Sequence, residues 1–260
     1  MPSVLANLAS GAAATFVPLF VGLFLPFAIA KDASSRFRIL MAVSSGIIFW
    51  FFLDVMNDAV LLDINQGFAG GIAQGLLVVL FTTSLLLLFG LERLLPKSSI
   101  HATSRENNET LTGISFGVAI LVALGMGFHA MGEGIEIGSL MSTAPDMIQA
   151  IGGLLPGIAY VFHKVLEGFV IGVFAAVTKS RAHRVVILGA LGGIPTVLGS
   201  LIALVTPVNS TFFFALGGAA AIYIEYKLIP NFVRQRENLP YVVASLAGFY
   251  LMYLAGLFHG

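Results

Sequence analysis

Two stretches of this 260-residue chain carry residues that could do chemistry. HAMGEGIEIG spans residues 129–138 and HKVLEGFVIG spans residues 163–172. Both fit one pattern: histidine, any three residues, glutamate-glycine, any two residues, isoleucine-glycine. On a helix, residues four apart share a face. His129 therefore stacks one turn from Glu133, and His163 one turn from Glu167. Imidazole and carboxylate together suit zinc, iron, cadmium and similar divalent ions, whereas alkali metals prefer all-oxygen cages. Two histidines and two glutamates supply four ligands with a net charge of −2, which balances one divalent ion.

The setting makes the acids expensive. Both stretches lie near the middle of long apolar runs, where a charged side chain costs roughly 2.5 kcal/mol or more. Glu133, Glu136 and Glu167 at that depth need a cation, a proton or a water-filled path. Taken singly, each residue has a plainer reading. A lone membrane histidine is commonly an interhelical hydrogen-bond donor, and a lone glutamate can be protonated. The repetition of one His-Glu pair favours a shared ligand over both. Gly125, Gly127, Gly132, Gly134 and Gly138, with Gly168 and Gly172, are expected to let helix backbones approach closely. Pro156 is expected to break or kink the second stretch's helix just outside the site. Lys164 has two readings. Either it joins the carboxylates of the site, or it turns away to pair with Glu136 or Glu225 or to reach an interface along its flexible stem.

The elements that must hold these residues are membrane helices. Hydrophobic residues make up 58% of the chain and charged residues only 10%, with a mean hydropathy of +0.97. A soluble domain carries about 25% charged residues, so this chain needs lipid as its solvent. Runs long enough to span, roughly 17–25 residues, fall at about 7–30, 37–56, 68–91, 112–140, 149–178, 185–206, 209–230 and 239–258. They are continuously apolar, unlike the alternating strands of a barrel. The fold class is an all-α integral membrane protein, an eight-transmembrane-helix bundle forming a single domain over residues 1–260. The fourth and fifth runs exceed what a span needs and are expected to tilt or project. The N-terminus lacks a basic segment and reads as the start of the first span, not a cleaved signal peptide. Zero net charge gives no footprint for nucleic acid. With no cysteine, thiolate sites and disulfides are excluded.

Lysines and arginines set the orientation. Lys31, Arg36 and Arg38 fall in the first connection; Arg93, Lys97 and Arg105 in the third. Lys179, Arg181 and Arg184 fall in the fifth; Lys227, Arg234 and Arg236 in the seventh. That is 13 basic residues less Lys164, which lies inside a span. The odd connections are thus expected in the cytoplasm and both termini outside it. The polar stretch at about 92–111 reads as a mobile cytoplasmic linker, and its single histidine, His101, does not make it a metal-binding loop. Asp54, Asp58, Asp63 and Asp146 gather at outer span ends. They are either ordinary solvated positions or an acidic outer mouth that concentrates cations.

At the two His-Glu stretches the chain resembles the ZIP (Zrt/Irt-like) family of divalent-metal transporters. In that family the fourth helix reads H-N-x-P-E-G and the fifth H-E-x-P-E-G. Here they read His129-Ala130-Met131-Gly132-Glu133-Gly134 and His163-Lys164-Val165-Leu166-Glu167-Gly168. Gly193-Ile194-Pro195-Thr196-Val197-Leu198-Gly199 corresponds to the sixth-helix G-x-E-P-x-G, with Thr196 in place of the glutamate. IEYKLIP at 224–230 resembles a seventh-helix E-E-L-I-P ending, with Tyr226 and Lys227 replacing the acids. The resemblance implies a first metal position built by His129, Glu133, His163 and Glu167. The family's second position loses its extra ligands, which are Ala130, Lys164 and Thr196 here. Both motif prolines are absent, and Glu136 stands where the family has a small apolar residue.

The resemblance implies a transporter, not an enzyme, that moves a divalent metal toward the cytoplasm. Zinc is the expected substrate, with Fe2+, Mn2+ and Cd2+ as alternatives. A single ion would sit at the midplane, with Lys164 standing where a second would be. A homodimer is compatible with this reading. A metal-sensing or non-transporting relative is the alternative. An intramembrane metalloenzyme is disfavoured, because four ligands and a lysine leave little room for the open position of a catalytic zinc.

Overall fold

The computed structural model describes residues 4–29, 34–65, 71–95, 114–141, 147–150, 152–206, 208–233 and 238–257. Among them every regular element is helical. In chain order these are α1 (Val4–Ile29), α2 (Ser34–Asn65), α3 (Gly71–Leu94), α4 (Phe116–Met141), the short α5 (Met147–Ala150), α6 (Leu154–Val177), α7 (Ala182–Val205), α8 (Thr211–Leu228) and α9 (Leu239–Gly256). A 3-10 turn over Ile229–Asn231 closes α8. All but α5 contain a stretch long and apolar enough to cross a membrane, giving eight spans.

The boundaries depart from the sequence reading at four places. First, α2 runs past residue 56 to Asn65. Asp54 and Asp58 mark the end of the apolar run, but no glycine or proline stands between Ile47 and Gln66 to stop the helix. Second, the fifth run is divided: Gly152 and Gly153 adopt φ of 88° and 113°, which only glycine takes readily, and separate α5 from α6. Third, Pro156 does not kink α6 near the site. It lies in the first helical turn, where its missing N–H would have had no intrahelical partner. Fourth, Glu92 and Arg93 belong to the last turn of α3, not to a linker. There Glu92 Oε1 meets Lys227 Nζ of α8 at 2.5 Å, and Tyr223 donates its hydroxyl to Glu92 Oε2 at 3.0 Å. This pair anchors α3, the most lipid-exposed span, to the bundle. Residues 96–113, including Lys97, His101 and Arg105, lie outside the described residues.

In lipid no hydrophobic force draws helices together, so contact depends on backbones approaching closely. The paired motifs provide this. Counting from each histidine, the glutamate at the fifth residue shares the histidine's face. The glycines at the sixth and tenth lie about 100–180° around the helix from those two residues and face a neighbouring helix. A Cβ on Gly134 or Gly138 would collide with the backbone of Thr196 or Ser200 of α7, and one on Gly168 or Gly172 with the backbone of Leu19 or Leu23 of α1. Partner residues advance in step with the glycines, so α4 lies parallel to α7 and α6 parallel to α1. Gly127 of α4 and Gly22 of α1 extend the same seams, against Leu191 and Val165. Gly125 and Gly132 face Ala220 and Phe214 of α8 instead. All seven glycines expected to serve packing do so. The result is two tight helix pairs whose inner helices, α4 and α6, are the most buried spans.

Candidate metal centre

The faces of α4 and α6 opposite their glycine seams meet at the bundle centre. His129 and Glu133 from α4 and His163 and Glu167 from α6 are each less than 5% exposed. One ligand atom from each lies within 4.8 Å of all the others. His163 Nε2 and Glu167 Oε1 are hydrogen-bonded at 3.0 Å, and His129 Nε2 lies 3.3 Å from Glu133 Oε1. The crossed distances, His129 Nε2 to Glu167 Oε1 and His163 Nε2 to Glu133 Oε1, are both 3.6 Å. Each imidazole therefore faces both glutamates, and all four Nε2 and Oε1 atoms point at one another. His129 Nε2 and Glu133 Oε1 make no hydrogen bond among the described residues. Buried polar atoms are normally satisfied, and a shared divalent cation would satisfy these.

The remaining oxygens are committed. Lys164 Nζ donates to Glu133 Oε2 and, at 2.8 Å, to Glu167 Oε2. Lys164 is fully buried. The carboxylates thus bridge two seats, with Oε1 atoms and imidazoles on one side and an ammonium on the other. This removes the reading in which Lys164 turns away. Glu225 instead accepts from Ser45 at 2.8 Å, and Glu136 from Ser210 at 3.1 Å at the start of α8. Glu136 is therefore not a member of the cage, despite lying three residues from Glu133.

The surroundings are aromatic. The Phe51 ring stands edge-on to His129 at 4.4 Å, Phe214 lies 5.6 Å from His129, and the two imidazoles are nearly parallel at 6.2 Å. Tyr160 places its ring 5.6 Å from Lys164 Nζ, within cation–π range, and its hydroxyl is hydrogen-bonded to Thr15 of α1 at 3.0 Å. Sequence reasoning missed Tyr160, although its place one turn before Lys164 puts it on that face of α6. Thr15 and Phe51 carry no such signal, because they arrive from helices without a motif.

Ala130 and Thr196 are both buried, on α4 and α7. The Thr196 hydroxyl makes no hydrogen bond among the described residues. Asp54 is half-exposed on α2; the side chains of Asp58 and Asp63, and the whole of Asp146, lie outside the described residues. Compared with the models of known protein families and with curated proteins, the chain matches none.

Proposed function

We propose that this chain is a ZIP-like transporter that carries one divalent metal ion, zinc foremost, toward the cytoplasm through the cage of His129, Glu133, His163 and Glu167. The observation that carries the reading is the convergence of a repeated His-Glu pair on one buried point inside an eight-span bundle. Intramembrane ionisable groups by default mark ion and substrate pathways, and sites between helices at the midplane are where alternating access operates. The mixed nitrogen and oxygen donors suit Zn2+, and also Fe2+, Mn2+ and Cd2+, better than a hard cation. The ion is cargo in this reading: the imidazoles and carboxylates strip its water and hand it between the two sides.

The expected result in proteoliposomes is uptake of radioactive zinc that saturates and is lost in His129→Ala. Metal binding without flux would assign the chain as a sensor or non-transporting relative.

Orientation belongs to the same proposal and has its own test. The bias of basic residues supports an orientation with both termini outside the cytoplasm. The chain has no native cysteine, so single cysteines report cleanly. A cysteine at position 3 or 260 should react with an impermeant thiol reagent added outside cells, and one at position 104 should not. The opposite labelling would reverse the direction of transport.

A further inference from the structure

Both α8 and α9 pack against α2, and a groove of about 740 Å³ runs between them on the outer surface of the bundle. Helices α2 and α9 form a third close pair: a Cβ on Gly46 would collide with the backbone of Ser245, and one on Gly248 with that of Val43. Ser45 and Phe49 of α2 floor the groove, Ile222 and Glu225 of α8 form one wall, and Leu246 and Phe249 of α9 the other. Phe49 and Leu246 are half-exposed, so the groove opens sideways to lipid. Its volume and its apolar walls with few polar groups are those of a site for an organic ligand. One end lies where α8 closes in the Ile229–Asn231 turn and α9 begins. The basic-residue bias assigns that end to the cytoplasmic side.

Glu225 is the one charge-bearing residue lining this groove. Its Oε2 accepts from Ser45, while its Oε1 has no hydrogen bond among the described residues. Glu92, Glu133 and Glu167 are each paired with a lysine, and Glu225 has no such partner among the described residues. A carboxylate inside a span needs a positive partner or a proton. One carboxyl and a serine between apolar walls make no cage for a metal ion, which takes several oxygen or nitrogen ligands. A cation that arrives through lipid on an apolar chain fits both the acid and the walls. A primary ammonium brings three N–H donors, as in lysine, whereas a choline head has none. A serine head would bring its own carboxylate against Glu225. Glu225 lies one turn before the end of α8 at Leu228, near the level of the head groups. Asn238 and Tyr241 line the same end of the groove, with an amide and a hydroxyl that suit a phosphate.

We propose that this groove binds a phospholipid with an ethanolamine head, its ammonium donating to Glu225 and an acyl chain lying against Ile222, Leu246 and Phe249. The ammonium supplies the charge that the chain itself does not. The walls exclude water from the pair, which strengthens it. The site is separate from the metal cage and does not depend on the transporter reading.

Native mass spectrometry of the full-length protein in detergent tests this. The probes are phosphatidylethanolamine, phosphatidylcholine and phosphatidylserine with identical acyl chains. Wild type should retain the ethanolamine lipid about tenfold more tightly than either of the others, the scale of one charge-assisted hydrogen bond. Glu225→Gln keeps an acceptor for Ser45 but loses the charge, and should bring the ethanolamine lipid down to the level of the choline lipid. Leu246→Trp fills the groove and should lower retention of all three. Thermal unfolding checks that both variants remain folded. Equal retention of the ethanolamine and choline lipids by wild type overturns the proposal without recourse to any variant. So does a preference that survives Glu225→Gln, and serine lipid held as tightly as ethanolamine lipid removes the head-group assignment. A dimer mass that falls to monomer in Leu246→Trp, with no lipid retained by wild type, assigns the groove to a second copy of the chain and overturns it as well.

Discussion

Replacing His129 and His163 together with alanine is expected to abolish zinc binding while leaving the protein folded. The two imidazoles supply half the donors facing the common point, and each faces both Oε1 atoms. Residues that merely support metal ligands typically contribute about 10–100-fold in affinity, so loss of two direct ligands should exceed about a hundredfold. The fold should survive because the Lys164–Glu133–Glu167 ion triad is untouched. The contrasting variant is Glu133→Ala with Glu167→Ala, which removes the other two donors but strands Lys164 without counterions. Breaking a buried ion pair by removing one side costs about 3–5 kcal/mol, so Lys164→Met should accompany it. Calorimetric titration with Zn2+ measures both proteins, and thermal unfolding of the metal-free forms controls for folding. Wild-type affinity in the double histidine variant would remove the metal centre from the account.

The second large effect concerns stoichiometry. Wild type is expected to bind one divalent ion, because Lys164 occupies the seat on the far side of the two carboxylates. Substituting Lys164→Glu, Ala130→Asn and Thr196→Glu together removes the ammonium and adds three oxygen donors, and this protein should bind two ions. Metal content by elemental analysis after desalting distinguishes one from two. Lys164→Met alone is the stability test. It leaves Glu133 and Glu167 facing each other without a cation, so the metal-free protein should lose about 3 kcal/mol or more. Saturating zinc should stabilise the variant more than it stabilises wild type, since the ion then supplies charge that the lysine gave before. Two ions in the unmodified protein would show that the ammonium does not fill a seat.

The bundle and its centre were legible in the sequence for one physical reason. In a membrane, apolar length marks a span, and a charge inside a span is costly enough to stand out. That contrast picked out His129, Glu133, His163 and Glu167 without any structure. Their spacing put each pair on one face, and the structure brings the two faces together. The same contrast marks Glu136 without giving it a role, because depth in the sequence does not say which way a helix turns. It lies three residues from Glu133 yet accepts from Ser210 of α8. The end of α2 was misread for a related reason, since aspartates end an apolar run without ending a helix. Thr15 and Tyr160 were illegible because their bond joins residues 145 apart whose types are ordinary in a membrane helix.

The lysine in the cage has an electrical consequence. With both glutamates ionised, the ammonium protonated and the imidazoles neutral, the cage carries a charge of −1. A dication entering it makes the charge +1. The self-energy of a charge in a low-dielectric medium grows with the square of its magnitude, so the filled and empty cages face the same solvation barrier at mid-membrane. Without Lys164 the two states would carry 0 and −2, and the empty one would bear the whole penalty. In the proposed transport cycle, the lysine therefore levels the loaded and unloaded states. It also gives them opposite responses to the membrane potential, each about 2.3 kcal/mol per 100 mV for a full crossing. In that proposed cycle, a potential negative inside favours inward passage of the filled cage and outward return of the empty one.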